Sequence, residues 1–166
     1  MALLKIITGT DNKILRTKSS LVKKIDKKIK KLIADLIETM SGADGLGIAA
    51  PQVGVNVRIF IARLNYNTPN ETMTPMINPE FLKMSDETGV YEEGCLSVPG
   101  RFGTVRRHTA VTIRFMDKRG KIQTLNLEGL NARIPQHEMD HINGTLFVDK
   151  MEREIAPESA EGVHAS

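Results

Sequence analysis

A chain of 166 residues, 40% apolar and 26% charged, can build a core of its own, and a fold of this size buries roughly 70% of its unfolded surface. That excludes a disordered chain, and ordinary glycine and proline usage without a fixed-period repeat excludes collagen-like, solenoid and linker readings. A net charge of +3, with only two Tyr and five Phe to stack on bases, is a poor basis for nucleic-acid binding, so no DNA partner is expected.

The chain opens MALLKIITGT, with Lys5 inside a short apolar stretch and no small-residue cleavage pattern. No run approaches a membrane span, so the expectation is a cytoplasmic protein without membrane contact. Ser19 or Ser20 is positioned to cap a helix in which Leu21, Ile25, Ile29, Leu32, Ile33, Leu36, Ile37 and Met40 form one apolar stripe before Gly42. Lys23, Lys24, Lys27, Lys28, Lys30 and Lys31 are its wet face. A solvated surface is their ordinary role; a dock for acidic RNA or the ribosome is the sharper alternative.

Gly45-Leu46-Gly47-Ile48-Ala49-Ala50-Pro51-Gln52 follows, with small residues that admit close backbone approach. It has neither the Lys-Ser/Thr of a phosphate loop nor the preceding strand of a dinucleotide fingerprint. Gln52 is the amide tethered to this tight segment, suited to donating a hydrogen bond to a developing oxyanion. Val57–Arg63 reads as a strand, followed by a polar loop and a second short strand near Met76 and Ile77.

Cys95 is the single cysteine, so the fold does not depend on a disulfide. It lies in GCLS, just before a Pro-Gly turn. Val111, Ile113 and Phe115 alternate with polar residues, Asp117–Gly120 turns the chain, and Leu125 and Leu127 alternate on the return, which predicts a hairpin.

The pattern then becomes helical, and His137-Glu138-Met139-Asp140-His141 puts two imidazoles one turn apart on one face, where both can bind one metal ion. A catalytic site usually takes a third protein ligand. Phe147 stands where a metzincin would carry its third histidine. Glu152, Glu154 and Glu158 are available to a zincin-type site, but lie in a tail past Lys150 that is expected to fray. Cys95 is the better candidate, since a thiolate with two imidazoles is a known catalytic set, and Zn²⁺ is its default ion. Strands first and a helix afterwards predict an α+β fold: antiparallel or mixed sheets around a central helix carrying HExxH, plus the N-terminal amphipathic helix.

GLGIAAPQ at 45–52, EGCLS at 93–97 and QHEMDH at 136–141, in this order and at these separations, resemble the three signature motifs of the peptide deformylases. The likeness runs from about Ile6 to Asp149 and includes the MINPE segment. It implies a single catalytic domain over 1–150 with a short flexible tail at 151–166. It implies a hydrolase of protein biosynthesis that takes the formyl group from N-formylmethionyl nascent peptides and releases formate.

Carried onto this chain, the resemblance assigns the metal to Cys95, His137 and His141, and the general base and acid to Glu138, so that metal-activated water attacks the formyl carbon. Gln52 and the Leu96 N–H bind the oxygen of the intermediate, and the backbone of Leu46, Gly47 and Gly94 pairs with the peptide. Glu93 and Asp140 are candidates to orient Gln52 or a ligand imidazole. The resemblance points to Fe²⁺ in the cell, replaceable by Zn²⁺, Ni²⁺ or Co²⁺; the ribosome as a transient partner rests on the lysine face, since only MEREIAPESAEGVHAS stands after Lys150 where some relatives carry a long basic helix. A zincin-type peptidase and a silent peptide-binding relative are the alternatives. Pro135, where the family usually has an aliphatic residue, is expected to start or bend the metal helix while leaving His137 and His141 in register. Leu130 and Ile134 are expected to wall a methionine pocket.

Overall fold

The structure, a computed structural model, describes residues 2–166. Strands β1 (Gly47–Ala49), β2 (Ile59–Leu64), β3 (Thr72–Met84), β6 (Ala110–Met116) and β7 (Ile122–Glu128) form a five-stranded sheet in the order β1-β2-β3-β6-β7. Strands β4 (Thr88–Cys95), β5 (Val98–His108) and β8 (Met151–Ile155) form a second sheet in that order. Every strand pair is antiparallel. Helices α1 (Lys27–Gly42) and α2 (Leu130–Ile142) complete an α+β architecture.

Strand β2 shows why its sequence is apolar on both faces. Phe60, Ala62 and Leu64 pack in one core with Met76, Ile113 and residues of α2. Ile59 and Ile61 point the other way, into a core with Leu36 and Met40 of α1. The five-stranded sheet is thus covered on both sides, which a continuous apolar strand requires. A third cluster joins Cys95, Val98 and Val105 of the smaller sheet to Leu146 and Phe147, just past α2.

Helix α1 starts later than Ser19 or Ser20. Asp26 is its N-cap, accepting from the Ile29 N–H at 3.0 Å. Ser19 and Ser20 are instead tied into extended backbone: the Ser19 N–H donates to Ile142 O and the Ser20 N–H to Asn56 O. Ser19, Ser20 and Val22 therefore spend backbone groups on tertiary partners, Val22 on the Asn78 side chain, and the helix begins where a side chain can cap it.

The hairpin β6-β7 forms as the alternation predicts, with Val111 opposite Leu127 and Ile113 opposite Leu125. The strand near Met76 is the middle of the 13-residue β3. The hairpin β4-β5 has no counterpart in the sequence reading, because glycines and exposed charges interrupt its alternation. The segment past Lys150 is not a frayed end: β8 pairs along β5, with Glu154 opposite Gly103 and Arg153 opposite Thr104. Arg101 and Arg106 hold Glu154 and Glu152 in cross-strand ion pairs, which anchor a strand too polar to announce itself.

Pro135 lies inside α2 without ending it. Proline removes one backbone donor near the helix start, and the turns that follow remain regular. The His137 and His141 ring centroids are 5.0 Å apart, so the register between them is kept. Neither helix is long and apolar enough to cross a membrane.

Candidate metal centre and peptide groove

Helix α2 carries His137, Glu138 and His141 into the space between the two sheets, and the end of β4 brings Cys95 to meet them. The ligand atoms of Cys95, His137 and His141 all lie within 4.8 Å of one another, and all three residues are buried. Cys95 Sγ is 3.3 Å from His141 Nε2.

Polar atoms left without partners show what this cluster fits. His137 Nε2, His141 Nδ1 and both oxygens of Glu138 are buried and accept or donate nothing within the chain. Orphaned groups of this kind are rare in a folded interior unless an ion or water serves them. A soft thiolate and two imidazoles are a donor set for one divalent transition metal.

The surroundings fix the rings. His137 Nδ1 is 2.9 Å from Glu93 Oε1, which leaves Nε2 facing Cys95 and His141 as a ligand needs. Glu93 is itself clamped. Arg107 reaches it through Nε at 2.6 Å and a terminal nitrogen at 2.9 Å, and Arg133 adds a contact at 3.2 Å. The other arm of Arg107 donates to Asp140 at 3.0 Å. Asp140 therefore anchors Arg107, and also accepts from Lys150 at 2.8 Å, rather than orienting an imidazole. Gln136, on the same helix, clips the backbone N–H and C=O of His108 on β5.

Burial raises the Glu93 carboxyl, but the hydrogen bonds from Arg107 and His137 outweigh it and hold the group well below the usual carboxylate range. Glu138 is the opposite case: buried completely and without a hydrogen-bonding partner, it is pushed up to about 8, with the charge of His137 opposing the shift. Burial also drives His141 down, helped by His137 and Arg107. For His137 burial acts downward too, yet the Cys95 thiol and the carboxylates of Glu93 and Glu138 carry it well above its ordinary value.

Gln52 follows β1 in a short 3₁₀ turn, Ala50–Val53, that also contains Pro51. Its Oε1 accepts from the Ala49 N–H at 2.8 Å, which aims Nε2 at Ser97 Oγ (3.3 Å) and Cys95 Sγ (3.9 Å). Gln52 is thus oriented by Ala49 and not by Glu93. Leu46 and Gly94 lie at the facing outer edges of the two sheets, since β1 and β4 are both edge strands. Gly47 sits against the Glu138 side chain with no room for a β-carbon. A cavity of about 490 Å³ opens beside these edges, walled by Leu46, Leu130, Ile134, Tyr91 and Arg133.

The metal candidates, Glu138, Gln52 and the backbone of residues 46, 47, 94 and 96 thus converge. Glu152 and Glu154 do not, being paired to arginines on the outer face of β5. Sequence reasoning missed Arg107 and Gln136. Nothing local marks a strand arginine as the partner of a carboxylate 14 residues earlier in the chain.

A buried thiol and two imidazoles beside a buried carboxylate without a hydrogen-bonding partner, at the end of a groove between two sheet edges, define the class: a metal-dependent hydrolase. The model of the family described as polypeptide deformylase matches residues 4–156, and the chain belongs to that family. A peptide deformylase of Prochlorococcus marinus is 42% identical over 137 residues, covering 82% of this chain and 68% of that protein. One from Synechocystis is 40% identical over 145 residues, covering 87% and 78%. Among solved structures, the peptide deformylase of Thermotoga maritima superposes with a TM-score of 0.85 at 38% identity, covering 92% of this chain and 99% of that one. That of Ehrlichia chaffeensis, in complex with actinonin, gives 0.86 at 36% identity, covering 92% and 90%. The protein is accordingly an enzyme of protein biosynthesis, a metal-dependent deformylase of nascent peptides.

Proposed function

We propose that the site hydrolyses the N-terminal formyl amide of formyl-methionyl peptides with Glu138 moving the proton, Gln52 and Leu96 holding the oxygen, and Cys95, His137 and His141 holding the metal. The observation that carries this reading is a main-chain oxygen already seated beside the cluster. Ser166 O accepts from the Leu96 N–H at 2.9 Å and from Gln52 Nε2 at 3.5 Å. Two donors converging on one oxygen next to a metal ligand are the arrangement that stabilises a tetrahedral oxyanion.

A divalent cation held there supplies Lewis acidity, making water nucleophilic near neutral pH and polarising the formyl oxygen. Glu138 takes a proton from the attacking water at a carboxylate oxygen and returns it to the leaving amine nitrogen. Water adds across the C–N bond, giving formate and a free amino terminus. A carboxyl poised near neutrality suits both transfers. Burial of Glu138, His137 and His141 excludes bulk water from the exchange.

The formyl end must face Cys95, so the substrate enters with its N-terminus innermost. Backbone groups of Leu46, Gly47 and Gly94 pair with it as an added strand. The methionine side chain takes the cavity walled by Leu130 and Ile134. The cellular ion is Fe²⁺, as the family likeness implies, with Zn²⁺, Ni²⁺ or Co²⁺ as substitutes in a site of this softness. The enzyme works in the cytoplasm, and its lysine-rich α1 face is available for transient contact with the ribosome; DNA and membranes are not partners.

The test is formate release from formyl-Met-Ala-Ser by protein purified anaerobically with Fe²⁺, beside an N-acetyl control. Release from the formyl peptide alone is expected. No release with the metal bound would make the chain a silent relative.

A further inference from the structure

The groove assigned above to substrate is already filled by this chain. Beyond β8, residues 160–166 leave the second sheet and return to the facing edges of β1 and β4. Ala165 O accepts from the Leu46 N–H at 3.1 Å, and the Ser166 N–H donates to Gly94 O at 3.3 Å. Ser166 O then occupies the Leu96 and Gln52 donors. Ala165 forms a parallel bridge with Gly94, and His164 packs edge-on against Tyr66 with ring centroids 5.1 Å apart. Ala160 and Ser166 are both buried.

We propose that residues 161–166 are a built-in competitor of the peptide substrate, held as a reversible strand in the enzyme's own groove. The inference rests on the substrate groove as assigned above. The same three backbone groups, Leu46 N–H, Gly94 C=O and Leu96 N–H, cannot serve tail and substrate together, so occupancy is exclusive.

Polarity distinguishes the two occupants. The tail runs parallel to β4 and brings residue 166 to Gln52, whereas a substrate that presents its formyl end there runs antiparallel to β4. The tail therefore mimics the backbone pairing of a peptide without presenting an amide that can be cleaved.

Its side chains explain why it yields. Gly162, Val163, Ala165 and Ser166 are small, and a cavity of about 490 Å³ remains beside them against Leu130 and Ile134. The tail uses the backbone hydrogen bonds of the groove and leaves its apolar pocket open. A methionyl peptide draws on the same backbone groups of the groove in the opposite polarity and fills the pocket as well. Tethering offsets the weak side-chain contacts, because a linked segment is present at an effective concentration on the order of millimolar. Competition of this kind raises KM for every peptide by the same factor, the reciprocal of the fraction of time the groove is open.

The test compares the full chain with one ending at Ala160, and with Ser166→Pro, which removes the donor to Gly94 O and restrains the backbone of Ala165. With formyl-Met-Ala-Ser, the shortened chain is expected to show unchanged kcat and a KM lower by about tenfold if the tail fills the groove nine-tenths of the time. Ser166→Pro should fall between the two. The hexapeptide of residues 161–166, added in trans, should inhibit the shortened chain competitively. Equal KM values in all three proteins overturn the proposal. Amide hydrogen exchange at Leu46 and Leu96 decides the matter without turnover: exchange should accelerate on shortening, and unchanged protection also overturns it. Absence of formate release from every chain would refute the deformylase reading, while the exchange result would still decide where the tail lies.

Discussion

Gly47 on β1 and Glu138 on α2 touch so closely that a β-carbon at position 47 would collide with the Glu138 carboxyl. The glycine lets the sheet edge press on the proton-transferring group and helps aim it, which neither segment can do alone. Gly47→Ala should lower kcat strongly while metal content stays near one ion per chain. Steady-state kinetics beside metal analysis checks this; wild-type kcat would mean Glu138 has room to shift.

Glu138→Gln keeps the shape and removes the proton acceptor. The loss in kcat should be ~10²–10⁴-fold, the usual contribution of a general acid-base group. Metal content should hold, since Glu138 is not among the three ligands. Unchanged turnover would take Glu138 out of the mechanism.

Cys95→Ala removes the only thiol in the centre, and metal occupancy should fall after dialysis. Chelation of the wild type should abolish formate release and lower Tm, because an ion that binds only the folded state stabilises it by about 2.7 kcal/mol at a hundred times its Kd. Readdition of Fe²⁺ or Zn²⁺ should restore both. Full occupancy in the alanine variant, measured by elemental analysis, would call for another ligand.

Arg107 is almost wholly buried and bonded to Glu93 and Asp140. Arg107→Met removes the buried cation between two carboxylates, leaving Glu93 to Arg133 and His137 and Asp140 to Lys150, and breaking a buried pair in this way costs about 3–5 kcal/mol. His137 loses its orientation as well, because Glu93 is the acceptor at its Nδ1. Urea unfolding should show the loss of stability, and metal analysis a weaker site. An unchanged midpoint would mean the pair contributes nothing net.

Acid should unfold the protein through the same pair. Glu93 ionises below its ordinary value of 4.5 in the folded state, so the unfolded chain takes up a proton first as the pH falls. The stabilisation is complete above about 4.5 and drains away as pH drops toward the folded value. Tm measured against pH should fall in that acid range, and Glu93→Gln should flatten the slope. Parallel slopes would assign acid lability elsewhere.

Much of the site was legible because its chemistry lies in short segments. HExxH places two imidazoles by helical period alone, and the hairpin β6-β7 announces itself by alternation. The donor Gln52 was readable as a lone amide on a tight turn. The start of α1, the hairpin β4-β5 and strand β8 were not, because their hydrogen bonds and ion pairs run to residues far along the chain, such as Ser19 with Ile142 and Arg101 with Glu154.

The amino-acid sequence by itself determined which side chains can ligate, donate and carry a proton, since those properties belong to residue types and to spacing within one helix or turn. Only the tertiary structure decided that Cys95 meets the helix and that Arg107 clamps Glu93 behind His137. It also decided that two sheet edges face each other across a groove in which residues 160–166 lie. Each of these is a meeting of elements separated by loops, and it is packing between the cores on either side of β2, not local pattern, that brings them together.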